Sequence, residues 1–420
     1  MFRLKKLYLN KVLPLAVVAA LPAAAATPLT YAQVVERFKI YNPTVAADLL
    51  NVEESRANEI TAALRPNPDM NLTNDQYEFG KYAAHPYRPL QNVEVIAGVS
   101  YLIERRNKRQ LRTDSAKQAT EVADSSHQDL LRNLLFTLRG SFVAALQAKS
   151  LLDLARDNLT YYDKVIALNR ERYKAGDLAK IDFQRIEIQR VQFESDLQSA
   201  MVDLRTAKIQ LLQLLNDRTP VDEFDITGPF DYKESILLPA ELRQQALANR
   251  PDLEAAIRSV VKARTDNRLA WANGSTDPTI GVSSTLNGSP GGSGFSIDFP
   301  LRIFDKNQGE KERTALEVNR TDRAREAVLA GVYSDVDSAY ATVESVRNLI
   351  RPYQAKYLDE ATQIRETVSF SFARGGASLL DFLDAQKQYR DTQLAYRNLI
   401  SAYLNAVNQL NVAVGREVIP

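Results

Sequence analysis

The sequence predicts a mixed α+β membrane protein, exported and internally duplicated, in which short amphipathic strands are fused to very long helices. Three observations carry this: a cleavable leader with no later membrane-spanning helix, a self-match at an offset of 199 residues (Tyr173 to Phe372), and a change of hydrophobic period that recurs in the same order in both halves.

The leader comes first. Arg3, Lys5, Lys6 and Lys11 precede the apolar run "VLPLAVVAAL" and the small-residue stretch "PAAAATP", with Ala24 and Ala26 placed for a cut ahead of Thr27. The apolar core is about half the length a spanning helix needs. Cleavage of residues 1–26 removes four cations and no acids, taking the net charge from +1 to about −3, so nothing points to nucleic acid as a partner. The chain has no cysteine, hence no disulfides and no lipidated amino-terminal cysteine. Its 45% hydrophobic and 25% charged composition is that of a folded protein.

The duplication is clearest at "RYKAGDLAKIDF" (172–183), which aligns without gaps on "SFARGGASLLDF" (371–382): Gly176 meets Gly375, Asp182 meets Asp381 and Phe183 meets Phe382. Upstream, at an offset of 208, Pro43 falls on Pro251. Between the halves, Pro220, Pro229 and Pro239 forbid a continuous helix. The expected organisation is a leader over 1–26, a first repeat over 27–219, a linker over 220–238 and a second repeat over 239–420. Each repeat is read as a helix (about 30–65, and 239–272), a β-hairpin (68–104, and 278–302) and a long helical hairpin with its tip near 173–182 or 372–381.

The helical patterns over 108–172 and 310–369 are each about sixty residues long, which makes rods of roughly 90 Å. Leu131, Leu134, Leu135, Leu138, Phe142 and Leu146 give the first rod an apolar stripe at three-to-four spacing. Pro352 should kink or interrupt the second rod. Gly176 and Gly375 suit the left-handed residue that stops a helix, after which helices return over 179–216 and 378–414.

The strands decide the location. In "VEVIAGVSYLIE", Val93, Val95, Ala97, Val99, Tyr101 and Ile103 alternate with a more polar face, and "GFSIDFPLR" alternates Phe295, Ile297, Phe299 and Leu301 with Ser296 and Asp298. "PTIGVSSTL" repeats the pattern and "PDMNLTNDQYEF" does so more weakly. One such run also suits an ordinary half-buried sheet. Four, paired as hairpins and fused to long helices in an exported chain, are the sequence form of membrane strands. Four strands cannot close in lipid, so copies must associate: two would give eight strands with a filled interior, three would give twelve with room for a lumen.

The duplicated Tyr/Phe-x-x-Gly-x-x-x-x-x-Asp turn, "ALRPNPDMNL" before the first strand, "PLRIFDKNQGEKERTA" opening the second rod and the terminal "QLNVAVGRE" carry a family resemblance. Over essentially the whole mature chain, the sequence resembles TolC-type outer-membrane efflux proteins. "ALRPNP" and "PLRIFDKNQGE" are closest in character to the heavy-metal branch, resembling CzcC. The resemblance implies a homotrimer with a twelve-stranded barrel in outer-membrane lipid, continued by a helical tunnel through the periplasm. It also implies docking on a periplasmic adaptor tied to an inner-membrane pump.

The same resemblance places a carboxylate-ringed entrance at the second tip. The matching residues are Asp381 and Asp384, with Asp182 from the first tip; three copies of each around an axis would attract cations. An acid in a helix's first turn is also simply favoured by the dipole, which is the plain alternative for Asp182 and Asp381. Where well-known relatives lock the entrance with a tyrosine and an arginine, this chain has Phe372 and Ala377, leaving Arg185 or Arg374 as cationic partners. Gly176, Gly375, Ala175, Leu178 and Leu379 are the expected adaptor-docking residues at the tips.

No serine, histidine or cysteine constellation and no phosphate loop accompanies the two aspartates, so no enzyme, catalytic residue or cofactor is expected. With only two histidines and three methionines, no metal site is expected either. The remaining rival is a periplasmic coiled-coil adaptor or scaffold, which would need one long hairpin and no membrane strands.

Overall fold

The structure, a computed structural model, describes residues 27–75, 94–234, 238–286 and 291–419. The leader, Val93 and the rest of segment 76–93 within the first expected hairpin lie outside these residues. No described helix is long and apolar enough to cross a membrane.

Each half opens on two helices where the periodicity suggested one. α1 (Tyr31–Tyr41) and α2 (Pro43–Ala63) meet at Asn42, and α5 (Pro239–Asn249) and α6 (Pro251–Asn273) meet at Arg250. The break follows from proline at the first helical position: it has no N–H to continue the preceding ladder and holds the residue before it extended. Asn42 caps α2 through Oδ1, which accepts from the N–H groups of Thr44 (2.9 Å) and Val45 (3.1 Å).

β1 (Asp69–Asp75), β2 (Glu94–Leu102), β3 (Thr279–Thr285) and β4 (Ser293–Asp298) form one antiparallel sheet in sequence order, so the two repeats are joined edge to edge through β2 and β3. The register aligns Met70, Val99, Val282 and Phe295 in a row across all four strands, and every one of them is exposed in the single chain. The next row, on the opposite face, is Asn71, Gly98, Ser283 and Gly294. The sheet therefore has one apolar and one small, polar face, as a membrane strand set with a wet interior requires. β4 stops short of the expected end because Pro300 cannot donate to a ladder. Phe299 and Leu301 beyond it remain exposed.

The sheet passes into helices at two left-handed asparagines, Asn107 (φ 56°) and Asn307 (φ 61°), which immediately precede α3 (Lys108–Ala175) and α7 (Gln308–Pro352). Asparagine is among the few residues that tolerate this conformation. Lys108 is buried there; its Nζ donates to Asp277 Oδ2 (2.6 Å) and to the Ser275 carbonyl (2.8 Å), pinning the first rod to the loop that leads into β3 of the other repeat.

α3 runs 68 residues without interruption, about 100 Å. The second rod is α7, a π-turn over Tyr353–Tyr357 immediately after Pro352, and α8 (Leu358–Ala373). α4 (Lys180–Leu214) and α9 (Leu379–Val414) return from the tips. At mid-height, one core gathers α1, α3, α4 and the linker around Phe38, Leu138, Phe142, Leu211 and Ile226. A second gathers α5, α7 and α9 around Val332, Val336, Ile350, Tyr403 and Leu410. These are the same core written twice.

Charge holds this equator together. Burial alone would raise the Asp225 carboxyl, but hydrogen bonds from Lys149 (2.7 Å) and the ammonium of Lys208 (3.2 Å) hold it below its ordinary value. Asp252 behaves alike: burial is outweighed by the Arg250 guanidinium, which donates to it at 2.6 Å and to Asp335 at 2.8 Å. A depressed carboxylate stabilises the fold above its unfolded value near ~4 and loses that contribution as pH falls through the folded value. Melting in detergent is therefore expected to drop steeply below about pH 4. Asp225→Asn should lower the melting temperature at pH 7 by about 2–5 °C and flatten the acid slope; an unchanged slope would remove Asp225 from this role.

Candidate functional site: the two hairpin tips

The two tips are built alike. α3 ends on Gly176 (φ 87°), whose N–H donates to the Tyr173 carbonyl (3.1 Å), while the Asp177 N–H reaches Arg172 (2.9 Å). α8 ends on Gly375 (φ 78°), whose N–H donates to Phe372 (3.1 Å), while the Gly376 N–H reaches Ser371 (2.9 Å). Both are the six-to-one, five-to-two closure that requires a left-handed residue, hence the glycine at each.

Aromatic rings close each turn from inside. Tyr173 stacks on Phe183 with centroids 5.3 Å apart, and their repeat partners Phe372 and Phe382 stack at 4.9 Å. Phe372 is buried in this cluster, with the Arg172 guanidinium over its ring at 5.4 Å and donating to its carbonyl at 3.1 Å. The same cluster joins Tyr162, Ile166, Ile186 and Phe193, so the two tips are packed level with each other. The Tyr162 hydroxyl donates to the Ile186 carbonyl (3.0 Å), and burial pushes its pKa up.

The tips differ at the residue that precedes each returning helix, Ala179 in the first and Ser378 in the second. Ser378 caps α9: its Oγ accepts from the Asp381 N–H (3.1 Å) and donates to Asp381 Oδ2 (2.7 Å), which also accepts the Ser378 N–H (3.1 Å). This is a complete capping box with aspartate in the glutamate position. The hydroxyl and N–H of Ser378 hold the Asp381 carboxyl below the usual carboxylate range. Asp381 is thus both an exposed anion and a helix-start residue. Asp182, with only Ala179 before it, has no such cap; Arg185 lies 3.9 Å away.

Asp384 is exposed and accepts from Gln388 Nε2 (2.7 Å), one turn up the same helix. Three residues from Asp381, it stands on the same side of α9. Arg374 lies over the exposed Phe370 ring, 3.5 Å from its centroid, so Arg374 and Arg185 are not brought together with Asp384 within one chain. Among the described residues, no group of three or more His, Asp or Glu side chains is arranged to hold a metal ion.

Of the expected docking residues, Gly176, Gly375 and Ala175 are exposed, whereas Leu178 and Leu379 turn half-inward onto the aromatic cluster. Bare apolar side chains on the returning helices at the tips include Ile181 (57% exposed) and Leu380 (76%). These two are repeat partners, so the 199-residue alignment held the signal. Sequence reading also missed a polar belt just above the second tip. There, Arg365 is held between the rings of Tyr161 (4.4 Å) and Tyr389 (3.7 Å), and Ser369 Oγ is bonded to Tyr161 and to Gln386 (both 3.1 Å).

Ser378→Ala should open the capping box and speed amide exchange across the first turn of α9 by about 2- to 30-fold. Exchange at the first turn of α4 should not change. Equal exchange in variant and parent would mean the box does not hold the tip.

Comparison with known proteins agrees with this architecture. Residues 242–416 match the family model described as outer membrane efflux protein. The chain is 21% identical over 378 residues to the pyoverdine export outer membrane protein OpmQ of Pseudomonas aeruginosa, covering 84% of this chain and 78% of that one. It superposes on CusC with a TM-score of 0.78 at 18% identity, covering 95% and 96% of the two chains. On VceC of Vibrio cholerae the TM-score is 0.75 at 14% identity, covering 93% and 97%. The resemblance to TolC-type outer-membrane efflux proteins therefore holds in sequence over residues 242–416 and in fold over nearly the whole chain.

Proposed function

We propose that three copies of the chain close into a twelve-stranded barrel and a helical tunnel, forming the passive exit duct of a tripartite efflux system. The observation that carries this is the sheet: four strands with an apolar outer row, ending at β1 and β4 with no further described strand on either side. Open edges do not survive in lipid, and three copies are the smallest number whose barrel leaves a water-filled interior. Lined by residues such as Asn71, Ser283 and Ser296, that interior offers hydrogen bonds without a shaped pocket. The duct would then accept whatever small molecule or metal ion an inner-membrane pump delivers through a periplasmic adaptor.

The entrance in this reading is the ring of tips. Asp381, Asp384 and Asp182 supply its anionic charge, with Arg185 and Arg374 as counter-charges across subunit boundaries. The glycine turns at Gly176 and Gly375, with Ala175, Leu178, Leu379 and the exposed Leu380, present the adaptor-docking surface.

Reconstituted in planar bilayers, the protein should give small, cation-preferring conductance. Asp381→Ala with Asp384→Ala should bring the cation preference toward unity; an unchanged preference would take both residues out of the entrance. Release of the protein from outer membranes by salt alone, or absence of any conductance, would overturn the channel itself.

A further inference from the structure

The helical layer has two bare flanks. Toward the tips, α4 packs on α3, α3 on α9 and α9 on α8, which leaves α4 and α8 at its sides. α4 carries two stripes at seven-residue spacing. Ile186, Phe193, Ala200 and Ala207 are buried within the chain. Ile188, Ser195, Val202 and Ile209 are exposed and lie two residues further on, about 200° round the helix. An outward stripe repeating every seven residues is a coiled-coil seam without its partner.

The other flank bears a matching stripe, Leu349, Tyr357 and Ile364, also exposed. Its spacing is eight and then seven. In an unbroken α-helix, eight residues would carry Tyr357 about 80° past Leu349. The π-turn lies in that interval, with the Leu358 N–H reaching back to the Tyr353 carbonyl; it absorbs the extra residue and returns Tyr357 to the face of Leu349.

We propose that Ile188, Ser195 and Val202 of one copy pack antiparallel on Ile364, Tyr357 and Leu349 of the next, and that the π-turn keeps this seam in register. The proposal rests on the reading that several copies close one channel. Two observations name a second copy as the occupant. The first is height: Ile188 and Ile364 stand eight and nine residues from the tip-side ends of their helices, Lys180 and Ala373, and Ser195 and Tyr357 stand fifteen and sixteen. The tips are level, so the pairs meet. The second is size, because the one small residue of the α4 stripe falls opposite the one large ring of the second-rod stripe. Stripes on opposite flanks of one chain make a head-to-tail contact, the kind that closes a ring when the rotation per copy is right.

The absence of native cysteine makes the test direct. The double variants Ile188→Cys with Ile364→Cys and Val202→Cys with Leu349→Cys, oxidised in purified outer membranes, should give disulfide-linked dimers and trimers on non-reducing gels. The off-register pair Ile188→Cys with Tyr357→Cys should not. Deleting Ala355 removes the extra residue together with the need for the π-turn, so both links should persist, whereas inserting one alanine after Ala355 adds a residue the turn does not absorb and should abolish the Ile188/Ile364 link below the turn while keeping the Val202/Leu349 link above it. An intact trimer by lysine cross-linking without either predicted disulfide would overturn this seam and leave the channel standing. Loss of the Ile188/Ile364 link on the deletion, or its survival on the insertion, would overturn the π-turn's role, whereas absence of any oligomer would overturn the channel reading itself.

Discussion

Unpaired backbone at the edges of a short sheet is the constraint on which the rest of this structure depends. Each exposed N–H or C=O in hydrocarbon costs several kcal/mol, on the order of the whole stability of a domain when summed along a strand. One chain supplies four described strands, so the proposed barrel can exist only as an assembly. The duplication, the length of the rods and the bare helical flanks are consistent with that requirement. A protomer that must meet its neighbours in lipid also presents continuous side faces to them below it.

The two repeats are equivalent where packing alone matters and differ where a ring of copies needs asymmetry. Equatorial cores, asparagine starts of the rods, glycine closures and tip stacks are written twice. The differences are local: Ser378 in place of Ala179 gives only the second tip a closed capping box, Asp384 stands where the first repeat has Arg185, and only the second rod carries Pro352 and a π-turn. The first rod lies inside the layer between α4 and α9, and the second leads to a flank, which gives the added residue a physical context.

Much of this was legible in the sequence, for identifiable reasons. Alternation in "VEVIAGVSYLIE" and the glycine-aspartate turn both report backbone geometry that has few alternatives, so strands and tips could be placed to within a few residues. The Asn42–Pro43 and Arg250–Pro251 breaks were not anticipated, because apolar periodicity continues through them. Inward rotation of Leu178 and Leu379 was not legible either. A leucine beside a turn reads the same whether it faces solvent or an aromatic cluster, and only the rings of Phe183 and Phe382 decide it. The dual character of Asp381 was visible as alternatives; the Ser378 hydrogen bonds show that its helix-start role is real without removing its charge from the tip.

Stoichiometry tests the central claim most directly. Native mass spectrometry of the mature protein, released from detergent micelles at neutral pH, should show three chains as the dominant species. Two chains, or a stable single chain, would contradict the account, because neither gives this four-stranded sheet a closed barrel with an open interior.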